Sequence, residues 1–235
     1  MKIALFGYGK MGRAIEKIAL ERGHQIVDKI TSTTKKYTIT KADIAIDFSL
    51  PNKAYQNIAS CIEENVPVIS GTTGWLDKYD SIVRLCKQQK GAFIYASNFS
   101  LGVNLFFELN KKLTELMHKY TNYNASITEI HHTQKLDKPS GTAITLAEQI
   151  LEKNTKNKWV LGVTKDKKAL PITSKRVEDV YGIHQIKFSS EIDEIEIMHK
   201  AKNRNGFALG AVIAAEWLIG KEGVYTMQDV LELKK

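Results

Sequence analysis

Apolar and polar positions alternate along the first hundred residues in a rhythm that predicts strands separated by helices. Short apolar runs, typical of buried strands, lie at 2–6, 25–30, 44–48, 66–70 and 92–96. Between them, apolar residues recur every three or four positions, which predicts a helix that ends at Gly23 and further helices at 53–64 and 76–89. Parallel strands need crossover connections, so strands joined through helices predict a parallel sheet.

The rhythm changes after residue 98, where the spacing between strand-like runs becomes less regular. Helical patterns lie at 103–120, 142–153, 206–219 and 226–233. Strand-like runs lie at 126–130, 183–189 and 192–198, within a region from 159 to 198 that is rich in short strands. We therefore expect an α/β protein: a parallel-sheet domain formed by 1–100 and 205–235, and an α+β domain with an open mixed sheet at 101–204.

Three glycines punctuate the first strand-to-helix turn, in the sequence Gly7-Tyr8-Gly9-Lys10-Met11-Gly12. In a βαβ unit, the first glycine of such a motif allows a tight turn and the second lets a pyrophosphate approach the backbone. The third glycine lets the helix pack closely on the strand. The motif lies between a predicted strand and a predicted helix, which is the context it requires. We predict that the first domain is a Rossmann-like dinucleotide-binding domain.

The tip of the second predicted strand carries no carboxylate. Thr31 occupies the position where NAD-binding proteins place an acidic residue, about 20 residues after the motif, and Lys35 and Lys36 follow. Hydroxyl groups and lysines tolerate a 2′-phosphate better than an acid does. This favours NADPH, with NADH also accepted, although a purely solvated lysine loop remains an open alternative.

Two more polar segments follow predicted strands at the carboxyl edge of the sheet, where ligands bind in such folds. The segment Gly71-Thr72-Thr73-Gly74 offers a flexible backbone that can close over a flat ring, and hydroxyls that can bind an amide. The segment Ala96-Ser97-Asn98-Phe99 ends the next strand along the chain. We predict that both line the nicotinamide site, although each alone is typical of a turn.

The stretch from Glu129 to Thr142 concentrates the chemistry of the second domain. It contains His131, His132 and Lys135, and then a Ser-Gly-Thr helix start at 140–142. The N–H groups of Gly141 and Thr142 would be unpaired donors at the positive end of a helix, which suits a carboxylate or a phosphate. We predict that this segment binds an anion and gives it a proton.

Several of these residues have plainer interpretations that the sequence leaves open. Lys135 alone is typical of surface charge, and Asp137 can pair with Lys138 on a loop. Adjacent histidines at a strand end point to opposite faces, so one of them can be structural. The remaining histidines are interpreted as structural: His24, His118, His184 and His199.

Composition excludes some classes of function. The net charge of +8 comes from scattered lysines with no aromatic-basic motif, so we expect anionic small molecules rather than nucleic acid as partners. No apolar run approaches the roughly 18 residues of a membrane-spanning helix, and no signal peptide precedes the first strand. We expect a cytoplasmic protein without membrane contact. Cys61 and Cys86 fall in helical patterns, so neither a disulfide nor a metal site is expected.

These motifs, in this order, resemble the 4-hydroxy-tetrahydrodipicolinate reductase (dihydrodipicolinate reductase) family of bacterial lysine and diaminopimelate biosynthesis. The His-His-x-x-Lys-x-Asp-x-Pro-Ser-Gly-Thr pattern from His131 to Thr142 is the most specific part of the resemblance. Asn98–Asn104 and His199–Ala211 extend the resemblance, which covers essentially the whole chain. The first glycine loop is one residue shorter than the common form in that family.

The resemblance implies a fold and a reaction. The reaction is the reduction of 4-hydroxy-tetrahydrodipicolinate, a cyclic dicarboxylate, to tetrahydrodipicolinate, with hydride from C4 of NADPH or NADH. The resemblance also implies that four copies of the chain form a homotetramer through the open sheets of their second domains. Two alternatives remain: another two-domain NAD(P) reductase, and a non-catalytic dinucleotide sensor.

The resemblance also implies site residues. His131 is the implied proton-transfer histidine and Lys135 the implied general acid. Substrate binding falls on His132, Gly141 and Thr142. Arg204 is a further candidate for binding a carboxylate, and a surface salt bridge is the open alternative for this residue. Cofactor binding falls on Gly7 to Gly12, Thr31, Gly71 to Thr73 and Ala96 to Phe99.

Overall fold

The structure is a computed structural model that describes residues 1–34 and 36–233. The chain divides into two compact units. The first unit comprises Met1–Asn104 and Arg204–Lys235, and the second unit comprises Leu105–Asn203. The first unit is therefore discontinuous in sequence, and it extends slightly beyond the predicted limits of 1–100 and 205–235.

A six-stranded sheet forms the centre of the first unit, and every strand pairing in it is parallel. Its strands are β1 (Lys2–Phe6), β2 (Gln25–Ile30), β3 (Ile44–Asp47), β4 (Val68–Ser70), β5 (Ala92–Tyr95) and β11 (Gly223–Tyr225). Their order across the sheet is β11-β5-β4-β3-β1-β2. Strands buried on both faces consist of continuous apolar residues, which is why the sequence shows them as short apolar runs.

Helices cover both faces of this sheet. They are α1 (Lys10–Glu21), α2 (Pro51–Glu63), α3 (Tyr79–Gln88), α6 (Asn205–Leu218) and α7 (Met227–Val230), with single 3-10 turns at Ile39–Lys41 and Leu76–Lys78. Side chains alternate between the faces of β1: Ile3 and Leu5 pack with α1 and α6, and Ala4 and Phe6 pack with α2 and α3. The sequence predicted one helix at 76–89, whereas the structure has the 3-10 turn at Leu76–Lys78 followed directly by α3.

The second unit contains a five-stranded mixed sheet in the order β10-β9-β6-β8-β7. Its strands are β6 (Asn124–His131), β7 (Lys158–Leu161), β8 (Ala169–Arg176), β9 (Gly182–Ser189) and β10 (Glu194–Ala201). The β6–β9 and β9–β10 pairs are antiparallel, whereas the β6–β8 and β7–β8 pairs are parallel. Helix α4 (Leu101–Met117), which begins in the first unit, and α5 (Gly141–Leu151) supply core residues against one face of this sheet.

The predicted fold class is confirmed: a parallel-sheet α/β unit and a second unit with a mixed sheet. The structure adds the three-residue strand β11 and gives bounds to β7 and β8, which the sequence pattern did not resolve. Within the described ranges, no helix combines the length and the apolar character that crossing a membrane requires.

Candidate active site

The glycine loop joins β1 to α1, and its glycines meet different steric demands. Gly7 has φ of +87°, and a Cβ there would lie 2.1 Å from the Phe48 carbonyl oxygen. A Cβ on Gly12 would lie 2.3 Å from the Gly7 carbonyl oxygen. A Cβ on Gly9 would meet no atom within 4 Å, so this glycine faces open space. Gly7 and Gly12 therefore allow the loop to close, and Gly9 leaves its outer side accessible.

The start of α1 fits a dinucleotide pyrophosphate. Gly9 is the N-cap residue and offers no side chain to bond the free N–H groups of the first turn. The first turn carries no acidic residue that would repel an anion. Backbone donors and the positive end of the helix dipole thus remain available for phosphate oxygens.

Tyr8, within this loop, is held by charged neighbours. Its hydroxyl donates a hydrogen bond to the Glu16 carboxylate, and Lys29 Nζ lies 2.6 Å from the same carboxylate. Lys29 Nζ also lies 4.6 Å from the centre of the Tyr8 ring. Lys10 is exposed, and Met11 packs against the core. Among the loop side chains, Tyr8 is therefore the one with defined polar partners on α1 and β2.

A cavity of about 540 Å³ opens beside the glycine loop. Residues that line it include Gly7, Gly9, Thr31, Tyr37, Ser49 and Lys53. The Thr31 hydroxyl lies at the tip of β2, 2.9 Å from the Thr33 hydroxyl and 3.2 Å from the Thr34 hydroxyl. Of the two lysines predicted to accept a 2′-phosphate, Lys36 is exposed and Lys35 lies outside the described residues.

A buried aspartate organises the loop from Gly71 to Gly74. The Asp47 carboxylate accepts hydrogen bonds from the hydroxyls of Ser49 (2.6 Å), Ser70 (2.8 Å) and Thr72 (2.7 Å). The Thr72 hydroxyl also accepts from the Ser49 N–H at 2.9 Å, and Thr72 is buried. The hydrogen of the Thr72 hydroxyl is thus donated to Asp47, so this hydroxyl could meet an amide only as an acceptor. Thr73 remains exposed.

The segment after β5 is partly a packing element. Phe99 is buried, with its ring 5.8 Å from that of Phe48, and its carbonyl oxygen would lie 1.7 Å from a Cβ on Gly210. The side chain of Phe99 therefore belongs to the core, so any contact that this residue makes with a cofactor would be through its backbone. Asn98 caps the following turn, since its Oδ1 accepts from the Ser100 N–H at 2.9 Å. Ala96 is half-buried and Ser97 is exposed.

Strand register in the second unit places polar side chains in one row across the sheet. Glu129 on β6 is opposite Ser174 on β8 and His184 on β9, and His184 is opposite His199 on β10. Directly paired residues share a face, so these four side chains point to the same side. Sequence reasoning missed Glu129 as a functional residue and interpreted His184 as purely structural.

Glu129 is fully buried and ionised. Burial is the largest single effect and opposes ionisation, but hydrogen bonds from His131, Ser174 and Arg176 outweigh it and lower the pKa of Glu129 to about 2. The Nδ1–H of His131 donates to this carboxylate, as does the Ser174 hydroxyl. Arg176 Nη1 lies 3.0 Å from the carboxylate. Glu129 thereby fixes the ring orientation of His131 and leaves Nε2 as its other polar atom.

His184 lies beside this pair, with its ring centre 5.0 Å from that of His131. Its Nε2 is 3.1 Å from the Ser140 hydroxyl, with which it shares a hydrogen bond. Burial, followed by the nearby His131, lowers the pKa of His184 to about 3, so the ring is neutral. Ligand atoms of Glu129, His131 and His184 lie within 4.8 Å of one another, but the Arg176 guanidinium already occupies Glu129, which disfavours a metal ion there.

The start of α5 has the predicted character of an anion site. Ser140 is the N-cap residue, and its hydroxyl accepts from the Ala143 N–H at 3.2 Å. Among the described residues, no acceptor bonds the N–H groups of Gly141 and Thr142. Gly141 is exposed, and a Cβ there would meet nothing within 4 Å. Two backbone donors therefore lie at the positive end of a helix, and the residue that carries the first of them faces open space.

Lys135 lies on the segment between β6 and α5. Its Nζ pairs with Asp137 at 2.8 Å, so Asp137 pairs with Lys135 rather than with Lys138. Burial opposes ionisation of Asp137, but the Lys135 contact outweighs it and lowers the pKa of that carboxyl. The Lys135 N–H donates to the His132 carbonyl at 3.1 Å, and His132 is half-buried.

Arg176 anchors this segment to the sheet. Its Nε donates to the Lys135 carbonyl at 3.1 Å, and its Nη2 donates to the Asp137 carbonyl at 2.5 Å. Its Nη1 bonds Glu129, as described above. One guanidinium therefore joins the carboxylate that orients His131 to the backbone that carries Lys135. No sequence motif pointed to Arg176, which lies 41 positions after Lys135.

The other candidate residues lie in the first unit. Arg204 is half-buried at the N-cap of α6. Cys61 and Cys86 are buried free thiols, and burial raises the pKa of both, that of Cys86 to about 11. Neither is therefore an activated nucleophile, which agrees with their interpretation as buried hydrophobic residues.

Family comparison assigns both halves of the chain to one family. Residues 1–99 match the model of the dihydrodipicolinate reductase N-terminus, and residues 102–231 match that of its C-terminus. The chain belongs to the dihydrodipicolinate reductase family. It is 54% identical over 234 residues to the 4-hydroxy-tetrahydrodipicolinate reductase of Christiangramia forsetii, with 98% of each protein covered. The Neisseria gonorrhoeae enzyme of the same name is 34% identical over 224 residues, which cover 92% of this chain and 80% of that protein.

A solved structure shares the fold. The dipicolinate-bound dihydrodipicolinate reductase from Paenisporosarcina sp. TG-14 aligns with a TM-score of 0.78 and 24% identity, covering 97% of this chain and 98% of the other. Family membership confirms the resemblance predicted from the motifs, and with it the oxidoreductase class and the nicotinamide cofactor. It favours the reductase over the two alternatives, a different two-domain reductase and a dinucleotide sensor.

Proposed function

We propose that this chain reduces 4-hydroxy-tetrahydrodipicolinate to tetrahydrodipicolinate in the diaminopimelate route of lysine biosynthesis, with Lys135 as the proton donor. The observation that carries the assignment of residues is the segment 131–142. This segment carries the ammonium of Lys135 and the imidazole of His131, whose orientation Glu129 fixes. It also carries the backbone N–H donors at the start of α5, and Arg176 anchors it to the sheet. These are the groups that binding and protonating a dianion require.

The first unit holds the cofactor in this proposal. The N–H groups at the start of α1 bind the pyrophosphate, and the loop residues Gly71 and Thr73 together with Ala96 to Asn98 line the nicotinamide. NAD(P)H supplies the hydride that reduces the substrate ring. Thr72 supports this loop through Asp47 and Phe99 supports it through the core, so both act on the cofactor indirectly.

The substrate carboxylates bind to the second unit. The N–H groups of Gly141 and Thr142 donate hydrogen bonds to one carboxylate at the positive end of α5, where the negative charge strengthens these bonds. His132 and Arg204 are the further candidates for gripping the dianion.

The overall reaction releases the ring hydroxyl of the substrate as water, and hydride adds to the conjugated ring that this loss leaves. Lys135 gives its proton to the adjoining ring carbon, which gains negative charge during the reduction. In the structure its ammonium is shared with Asp137, whose side chain is 56% exposed. A doubly charged substrate competes with this single exposed carboxylate, so Lys135 can exchange one anionic partner for another without losing its charge. His131, held by Glu129, is placed to assist or relay the proton.

The proposal extends to the assembly and its location. The open face of the second-unit sheet is the surface through which four copies would associate. We place the enzyme in the cytoplasm, which agrees with two free, buried thiols.

Replacement of Lys135 tests the proton donor. Lys135→Ala should lower kcat about a hundredfold or more, which is the usual size of a general-acid effect. NADPH and NADH oxidation would be followed with freshly generated substrate, and binding of pyridine-2,6-dicarboxylate would be measured separately. Lys138→Ala, an exposed lysine on the same segment, is the control and should retain activity. Normal turnover in Lys135→Ala would exclude Lys135 as the acid.

A further inference from the structure

The cavity beside the glycine loop is nearly devoid of charge. Its lining combines the loop, the tip of β2 and the start of α2, and most of the lining side chains are hydroxyls, amides and apolar groups. Among the described residues that line it, Lys53 carries the one formal charge. An anion bound in this cavity would therefore find a single ammonium and no carboxylate to repel it.

In a dinucleotide-binding fold, the adenosine ribose of the cofactor binds at the tip of the second strand, which is β2 in this protein. An acidic residue there would bond the two ribose hydroxyls and repel a 2′-phosphate. This chain presents Thr31, Ser32 and Thr34 to the cavity instead. Hydroxyl groups can donate to phosphate oxygens, so Thr31, Ser32 and Thr34 can bind a 2′-phosphate but do not themselves supply a charge to hold it.

Two other described lysines, Lys29 and Lys36, are less suited to supply that charge. Lys29 is paired with Glu16 at 2.6 Å and stacked on Tyr8, so its ammonium is already neutralised. Lys36 is exposed and does not line the cavity. Lys53 differs from both because it lines the same cavity as Thr31. It lies in the first turn of α2 and is exposed.

We propose that Lys53 binds the 2′-phosphate of NADPH and sets the preference of this enzyme for NADPH over NADH. The proposal rests on the use of a nicotinamide cofactor, and it adds the residue that discriminates between the two forms. A charge-assisted hydrogen bond to phosphate contributes about 1.5–3 kcal/mol. The expected discrimination is therefore roughly ten- to hundredfold.

Binding of adenosine fragments tests Lys53 without turnover. Calorimetry would give Kd for adenosine 2′,5′-bisphosphate and for AMP with the wild type, Lys53→Gln and the control Lys87→Gln, an exposed lysine on α3. Lys53→Gln should weaken the bisphosphate roughly ten- to hundredfold and leave AMP within about twofold. The preference of the wild type should decline as salt is raised, because salt screens an exposed charge pair. Lys87→Gln should match the wild type.

Three results would overturn the proposal. The wild type could bind both fragments equally, Lys53→Gln could keep the wild-type ratio, or Lys36→Gln could abolish the preference in its place. The ratio of kcat/KM for NADPH and NADH in the same variants provides the second readout, and it should fall only in Lys53→Gln. Because the fragments bind without substrate, failure of the proposed reduction would leave this test interpretable.

Discussion

At the scale of single residues, burial controls the charge of His184. The ring lies on β9 next to His131, and its Nε2 is bonded to the Ser140 hydroxyl. Its pKa is lowered by burial to about 3, compared with about 6.5 for a histidine in an unfolded chain. Between these two values the unfolded chain binds more protons than the native chain, so stability rises with pH across this window.

We therefore predict that His184 makes the protein less stable in mild acid. Its contribution is complete above about pH 6.5 and is lost progressively as the pH falls from 6.5 towards 3. His184→Gln removes the titrating group, so the free energy of unfolding should depend less steeply on pH between 7 and 4.5. Urea unfolding at a series of pH values measures this slope.

The control for this experiment is His118→Gln, which replaces an exposed histidine that follows α4. This variant should keep the wild-type slope. Equal slopes in the wild type and in His184→Gln would contradict the prediction, whatever the absolute stability of the two proteins.

At the scale of elements, the candidate site residues that are close together in sequence could be predicted. The site residues that come together only through strand pairing could not. His131, His132, Lys135 and the start of α5 follow within a dozen residues, so their spacing is visible in the sequence. Glu129, Ser174 and His184 meet only because β6 pairs with β8 and β9 in a particular register. Periodicity predicts a strand but not its partner, and the bounds of β8 were not predicted.

The surroundings of two predicted cofactor residues were also not visible in the sequence. Thr72 and Phe99 both follow strands at the edge where ligands bind, so their position in sequence suggested contact with the cofactor. The structure directs the Thr72 hydroxyl to Asp47 and the Phe99 ring into the core. Only the three-dimensional environment shows whether a polar hydrogen is already donated to another group.

Arg176 couples two elements of the site, and this leads to a second prediction. Its guanidinium bonds the Glu129 carboxylate and the carbonyls of Lys135 and Asp137 at the same time. An ammonium lacks the planar fork that allows these simultaneous contacts. Arg176→Lys should therefore loosen the segment that carries Lys135 and weaken pyridine-2,6-dicarboxylate binding about tenfold, with a matching rise in the substrate KM.

The effect of Arg176→Lys should be confined to the second unit, so Kd for NADPH should not change. Lys175→Arg, at the exposed neighbouring position on β8, is the control and should bind the dicarboxylate normally. An unchanged dicarboxylate Kd in Arg176→Lys would show that the backbone anchor is dispensable. Rescue of tight binding is not expected from any substitution at position 175.

At the scale of the whole molecule, the sequence was most informative where strands are buried on both faces. The five strands predicted for the first unit all form part of its sheet, and the glycine motif lies at the predicted turn. Four of them are apolar runs, whereas β2 is an edge strand with alternating exposed positions. The sixth strand, β11, has three half-buried residues that include a glycine, so it lacks an apolar run. In the second unit, strands with one open face gave weaker patterns, and only a mixed sheet could be predicted.

That open face supports the last prediction. Thr173, Thr128, Gln185 and Met198 lie opposite one another across four strands, on the side away from Glu129 and His184. Met198 is 61% exposed, and the other three side chains are half-buried. If four copies join through this face, sedimentation should give a mass near 106 kDa, four times 26.5 kDa.

Gln185→Arg would place a charge in the middle of that contact and should yield smaller species. Gln89→Arg, an exposed position in the first unit, should remain at the wild-type mass. A wild-type mass of 26.5 kDa at working concentration would contradict the assembly.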